Sequence, residues 1–267
     1  MGKNKLRKFD ELSRIDFVYQ YPFPPLNQEG FPLRGRWHEV FGNDNPIVLE
    51  LGCGKGEYTV GLAARDASRN YIGVDIKGAR MYTGAKAAQS QGLRNVAFIR
   101  TSVELLDRFF APGEVSDIWV TFPDPQMQKC NKRLTGTRFC ELYRRIAAPD
   151  CLLRLKTDSP YLYAYTRLMA AENGLPVAAD CADIYGSGLD KEEPALAIRT
   201  HYEQQWLDRG LTIKYLAFGL GGGKPLSEPD DTDIERDTHR SYSRGYIQMP
   251  QMMDAADSIE RNDEEND

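Results

Sequence analysis

Three observations predict a doubly wound, mostly parallel α/β sheet of seven strands. Short, branched apolar runs alternate with amphipathic segments of helical length, the order of successive βα units. The first run breaks into Gly52-Cys53-Gly54-Lys55-Gly56, where glycines at alternate positions allow a sharp turn and keep Cβ atoms away from a ligand. The next run ends in Asp75, 19 residues after Gly56, a spacing at which an acid reaches a ribose.

The elements follow in order. Residues 1–33 read as a basic arm (Lys3, Lys5, Arg7, Lys8) and an extended lead-in marked by Pro22, Pro24, Pro25 and Pro32. Residues 34–41 read as a short helix, 47–51 as the first strand, 57–65 as a helix and 71–74 as the second strand. Helix 78–91, strand 96–99, helix 103–110 and strand 116–122 come next. Then follow helix 135–148, strand 151–155 and helix 161–172, which Asn173-Gly174 ends. A strand at 177–184, a helix at 200–208 and a strand at 211–218 complete the set. Gly221-Gly222-Gly223 closes the domain, taken as residues 34–220. The polar, acidic segment 221–267 is expected to be disordered.

The glycine turn is E-x-G-x-G-x-G, with Glu50 before it and Glu57 after it. A dinucleotide fingerprint has G-x-G-x-x-G, so that a pyrophosphate can sit on the helix N-terminus. Two carboxylates would repel that group. They suit a cofactor carrying a positive charge and an α-amino group, which describes S-adenosylmethionine. Asp75 can accept from both ribose hydroxyls. The fold expected is therefore the Rossmann-like sheet of class I S-adenosylmethionine-dependent methyltransferases. Ligands of such sheets bind at the C-terminal strand ends, which selects Glu50, Asp75, Thr101 or Ser102, Asp124 and Thr157-Asp158.

The 267 residues, 41% of them hydrophobic, can bury a core without staples. No 18-residue apolar run exists, so no membrane span is expected. The first 12 residues lack the apolar stretch of a secretory signal. Five cysteines without C-x-x-C spacing suggest reduced thiols and a cytoplasmic location. They and three scattered histidines give no metal pattern, and no metal is expected. Monomer and homodimer both fit the sequence.

The net charge of −5 is unevenly distributed. Residues 227–267 hold 13 acidic and 4 basic side chains, which leaves the rest of the chain mildly basic. Lys129, Lys132 and Arg133 cluster in the loop after Asp124 and suggest a polyanionic substrate. Phe122-Pro123-Asp124-Pro125 is not the Asn/Asp-Pro-Pro-aromatic motif of amine methylation, and Cys130 is read as a bystander thiol.

Four segments carry a resemblance: VLELGCGKGEY, WVTFPDPQMQKCNKRLT, LKTDSPYLY and RTHYEQQWLDRG. In this order the chain resembles the bacterial tRNA (guanine-46-N7)-methyltransferases over about residues 1–220. The resemblance implies methyl transfer to N7 of guanosine 46 in the tRNA variable loop, with tRNA as partner. It implies that Glu50, Gly52, Gly54, Gly56, Asp75, Thr101, Ser102 and Asp124 serve the cofactor, with Asp124 also central to catalysis. Gln128, Lys129, Lys132, Arg133, Asp158, Thr200, His201, Tyr202 and Glu203 would meet the RNA. Gln126 and Gln128 depart from the family, which often has Trp and Lys there, and Thr101 stands where Asp is common.

The chemistry suits carboxylates. Guanine N7 has an in-plane lone pair and no proton, so its attack needs no general base, and the methylated purine is a cation. Asp124, Asp158 and Glu203 could stabilise that charge. Tyr202, Tyr161 and Phe122 could stack on a flipped base. Two rivals stay open: a methyltransferase of another substrate, and a non-catalytic RNA-binding protein.

Overall fold

A computed structural model describes residues 3–21 and 31–239. Pro22, Pro24 and Pro25 of the lead-in lie outside the described residues, as does 240–267 of the acidic segment. Residues 1–237 and 238–267 form separate units, and the fold and site belong to the first.

The strands are β1 (Val18–Gln20), β2 (Ile47–Leu51), β3 (Asn70–Val74), β4 (Val96–Arg100), β5 (Val115–Thr121), β6 (Ala147–Thr157), β7 (Val177–Cys181) and β8 (Lys214–Gly219). They form one sheet in the order β1-β4-β3-β2-β5-β6-β8-β7. Pairings from β1 through β6 are parallel, and β8 runs antiparallel to both β6 and β7. Strand order reverses between β2 and β5, where such sheets bind ligands. Eight strands replace the seven expected because β1, inside the expected lead-in, pairs with β4.

The helices are α1 (Lys3–Leu12), α2 (Trp37–Phe41), α3 (Glu57–Arg65), α4 (Gly78–Ser90), α5 (Leu106–Phe109), α6 (Thr137–Arg144), α7 (Pro160–Glu172), α8 (Ile184–Ser187), α9 (Leu189–Glu192) and α10 (His201–Leu207). All five residues of β2 are buried, and its apolar residues alternate between two layers. Ile47, Leu49 and Leu51 join Trp37, Phe109, Tyr143 and Leu162 on one face. Val48 joins Tyr58, Leu62, Met81 and Phe98 on the other. This two-sided burial explains why the strand reads as a nearly continuous apolar run. Each buried Leu, Met or Phe contributes about 1.5–3 kcal/mol.

Two boundary expectations are corrected. Residues 3–12 form α1 rather than a loose arm. Its Leu12 is buried, Glu11 accepts a hydrogen bond from Tyr82 of α4, and the Arg100 guanidinium lies 4.4 Å from the Phe9 ring centroid. The acidic segment is not free from residue 221. Residues 224–237 run back along α6 and α7, fixed by hydrogen bonds from Arg144 to Lys224 O and from Ser227 N to Asn173. Asp231 and Asp237 take buried partners, Arg133 and Ser159, whereas Asp230, Asp233 and Glu235 stay exposed.

Candidate active site

The glycine turn after β2 has positive φ at Gly52 (73°), Gly54 (55°) and Gly56 (70°). Only glycine takes these angles without strain. At Gly56 a Cβ would also lie 2.7 Å from the Phe98 ring. Asp75, at the end of β3, accepts from Gly54 N at 2.8 Å and Lys77 N at 2.6 Å, so the acid and the turn hold each other. Beside them opens a cleft of about 280 Å³ walled by Gly52, Asp75, Ile76, Thr101, Leu134 and Phe139. Thr101 is fully buried, and its hydroxyl has no hydrogen-bond partner among the described residues. A buried hydroxyl without a partner costs free energy, so a water or a ligand's polar atom would be favoured beside it. Ser102 differs: its hydroxyl accepts from Glu104 N at 3.4 Å and caps the 3-10 turn Val103–Leu105.

Glu50 is near the turn but does not open into the cleft. Its exposure is 3%, and it accepts from Thr59 N (2.8 Å), the Thr59 hydroxyl and the Thr121 hydroxyl (2.8 Å). Burial pushes its carboxyl up to about 7, against the opposing pull of these bonds. Glu50 therefore joins β2, β5 and the start of α3, and it supports the turn from beneath.

Asp124 is exposed on the loop after β5, at the reversal of strand order. Two non-glycine residues with positive φ flank it, Phe122 (50°) and Gln126 (47°). Such conformations cost about 1–3 kcal/mol each and cluster at functional sites. The Asp124 carboxylate accepts from Gln126 N at 3.0 Å, while Phe122 N donates to Lys156 O at 2.8 Å. Gln128 and Lys129 on the same loop are exposed.

The remaining charged candidates are mostly engaged. Lys132 pairs with Glu104 at 3.0 Å on the rim of the cleft, and Arg138 reaches the same carboxylate at 3.1 Å. Lys132 thus lies on the rim of that cleft, half-exposed and paired. Arg133 is corrected outright: it is 2% exposed, 2.7 Å from Asp231, with its guanidinium 4.2 Å from the Tyr165 ring centroid. Its guanidinium is turned into the protein, against the expectation of a charge on the RNA face. Asp158 is also fully buried. The next turn is covered by Asp237, which accepts from the Ser159 hydroxyl and from Tyr161 N at 3.0 Å.

Glu203 is buried in a different way. It pairs with Lys156 at 2.8 Å, both side chains having 0% exposure, and accepts from the Tyr185 hydroxyl at 2.6 Å. Thr200 and Glu203 also form a capping box at the start of α10. Glu203 thus holds a structural place between Lys156, Tyr185 and the start of α10, with no exposed surface of its own. His201 stays exposed, its backbone N–H donating to Glu57 at 3.2 Å, and half-buried Tyr202 has the Arg80 guanidinium 6.0 Å from its ring centroid. Of the stacking candidates, Tyr161 is 1% exposed and its hydroxyl donates to Asp231, whereas Phe122 and Tyr202 keep accessible surface.

Sequence reasoning missed Ile76, which is 44% exposed on the cleft wall, and took Lys156 for part of a basic face where it is buried against Glu203. Ile76 had one available signal, an apolar residue directly after the strand-end acid. Lys156 had none, because a lysine inside a strand does not reveal its partner 47 positions away.

A family model described as "Putative methyltransferase" matches residues 44–216. A tRNA (guanine-N(7)-)-methyltransferase of Porphyromonas gingivalis is 59% identical over 230 residues, covering 85% of this chain and 94% of the relative. One of Bacteroides fragilis is 54% identical over 245 residues, covering 91% and 96%. Among solved structures, a 16S rRNA methyltransferase aligns with a TM-score of 0.51 at 16% identity, covering 69% of this chain and 92% of that one; this likeness concerns the fold alone.

Proposed function

Because the chain belongs to the tRNA (guanine-N(7)-)-methyltransferase family, we propose that it transfers a methyl group from S-adenosylmethionine to N7 of guanosine 46 in the tRNA variable loop. One observation carries the reading. The glycine turn, Asp75 and the Thr101 hydroxyl, which has no partner among the described residues, converge on one cleft, and exposed Asp124 stands between two strained residues on the loop after the adjoining strand β5. The match over 44–216 supports 34–220 as the catalytic domain.

The residues fit the cofactor chemically. Asp75 would take the ribose hydroxyls, Thr101 a polar edge of the adenine, and Ile76 the adenine face. Gly52, Gly54 and Gly56 let the main chain approach, and Glu50 keeps their turn in place. The bound cofactor supplies an electrophilic methyl group. Asp124 faces the developing positive charge on the purine and stabilises it. No residue need remove a proton from N7, so alignment supplies most of the rate, a contribution of about 7–11 kcal/mol in favourable cases.

On the substrate side, Gln128, Lys129, Lys132, His201 and Tyr202 are the candidates that keep accessible surface, and we assign the RNA contacts to all of them but Lys132, which is paired with Glu104. Asp158, Thr200 and Glu203 are buried, and the last two fix the start of α10.

Labelled S-adenosylmethionine with unmodified tRNA, followed by nucleoside analysis, tests the proposal. A 7-methylguanosine product, absent with a tRNA lacking guanosine 46 and lost in Asp124→Ala, supports it. Cofactor binding with tRNA left unlabelled would overturn the substrate assignment.

A further inference from the structure

We propose that Arg133, anchored by Asp231 of the C-terminal segment, is a positioning residue for methyl transfer. The inference rests on the reading of Asp124 as the central active-site residue. Arg133 Nε donates to Gln126 O at 3.2 Å and its Nη2 donates to Met127 O at 3.2 Å. These carbonyls follow Asp124-Pro125 directly, and Gln126 is one of the two non-glycine residues held at positive φ. A strained conformation persists only where its surroundings over-determine it. The planar guanidinium does so here, with donors fixed in one fork.

The fork is itself held from behind. Asp231 lies 2.7 Å from Nη2, and the Tyr161 and Tyr165 rings flank the guanidinium at 5.2 and 4.2 Å. The Tyr161 hydroxyl donates to Asp231, and Tyr165 donates to Glu228 at 2.6 Å. Asp237 then fastens the segment to the start of α7. The loop bearing Asp124 therefore depends on a carboxylate more than 100 positions downstream. Arg133 carries its charge inward to Asp231, which removes it from RNA binding and gives it to loop geometry.

The test is steady-state methylation by full-length Asp231→Ala, Asp231→Glu, Arg133→Lys and Asn173→Ala, with hydrogen exchange over residues 122–133. Asn173 is the control, since it ties the same segment to α7 at Ser227 without touching the loop. For Asp231→Ala and Arg133→Lys, kcat should fall about 10- to 100-fold, the scale of a misplacement near 1 Å, while KM for tRNA and cofactor affinity change little. Exchange over 122–133 should rise in both, and Asp231→Glu should recover most of the rate. Arg133→Lys keeps the charge but loses the fork, so it reports even where Asp231→Ala fails to fold. An unchanged kcat in the folded variants, or an equal fall in Asn173→Ala, would overturn the proposal. If the wild-type chain leaves tRNA unmethylated, the reaction assignment fails instead, and hydrogen exchange still reads the clamp.

Discussion

At the ends of β2, β3 and β4, the main chain of a glycine turn, the Asp75 carboxylate and a spare Thr101 hydroxyl surround a cleft. At the ends of β5 and β6, Arg133, Asp158 and Glu203 are enclosed, and Arg133 and Glu203 are matched to Asp231 and Lys156. In the first region the polar groups line an open cleft, Asp75 bracing the glycine turn from its wall and the Thr101 hydroxyl having no partner among the described residues. The second uses its charges to hold loops and helices together, which leaves Asp124 and a few neighbours exposed. Charged residues near an active site thus divide into groups that touch ligand and groups that aim them.

Removing Glu203 sharpens this contrast most. Glu203→Ala leaves Lys156 charged or deprotonated in an enclosed site, and an orphaned buried charge costs about 3–5 kcal/mol. Denaturant unfolding should show that loss. Full stability with lost activity would instead return Glu203 to the ligand-touching group. Asp124→Ala should do the opposite: kcat drops by about 10²–10³-fold, as for loss of one electrostatic stabiliser, with little change in the unfolding midpoint. A stability loss in place of a rate loss would erase the distinction between the regions.

Thr101→Val should weaken cofactor binding by about 2–10-fold, one modest hydrogen bond, and leave stability nearly unchanged because the hydroxyl has no partner among the described residues. Titration calorimetry separates the two effects. Glu50 gives a pH signature. Its folded carboxyl holds a proton up to about 7, against an ordinary 4.5, so unfolding releases a proton within that window. Stability should fall as pH rises from about 4.5 to about 7, and Glu50→Gln should flatten that part of the profile. The smallest effect is expected at Lys132→Ala. Its pair with Glu104 is half-exposed, so stability should change by less than about 1 kcal/mol. The salt dependence of tRNA binding should stay near wild type, whereas Lys129→Ala should reduce the slope by about one. An equal reduction at Lys132 would place it back on the RNA face.

The first region was legible because its parts lie within one local unit. Glycines at 52, 54 and 56, followed by an acid at 75, specify turn, helix and strand through backbone sterics and spacing alone. The second was legible only as a set of charged residues. Lys129, Lys132 and Arg133 look alike in sequence, yet one is exposed, one is half-exposed and paired, and one is buried. Thr200 and Glu203 stand three positions apart, the spacing of a capping box, but nothing local points to the lysine behind them.

By itself the sequence determined the βα alternation, the glycine turn with Asp75 and the position of Asp124 after a strand. Each depends on neighbours in the chain, where periodicity and φ preference act. Tertiary structure decided which charges face solvent. Burial and pairing depend on side chains brought together from distant positions, and Asp231 reaches Arg133 only because residues 224–237 fold back along α7.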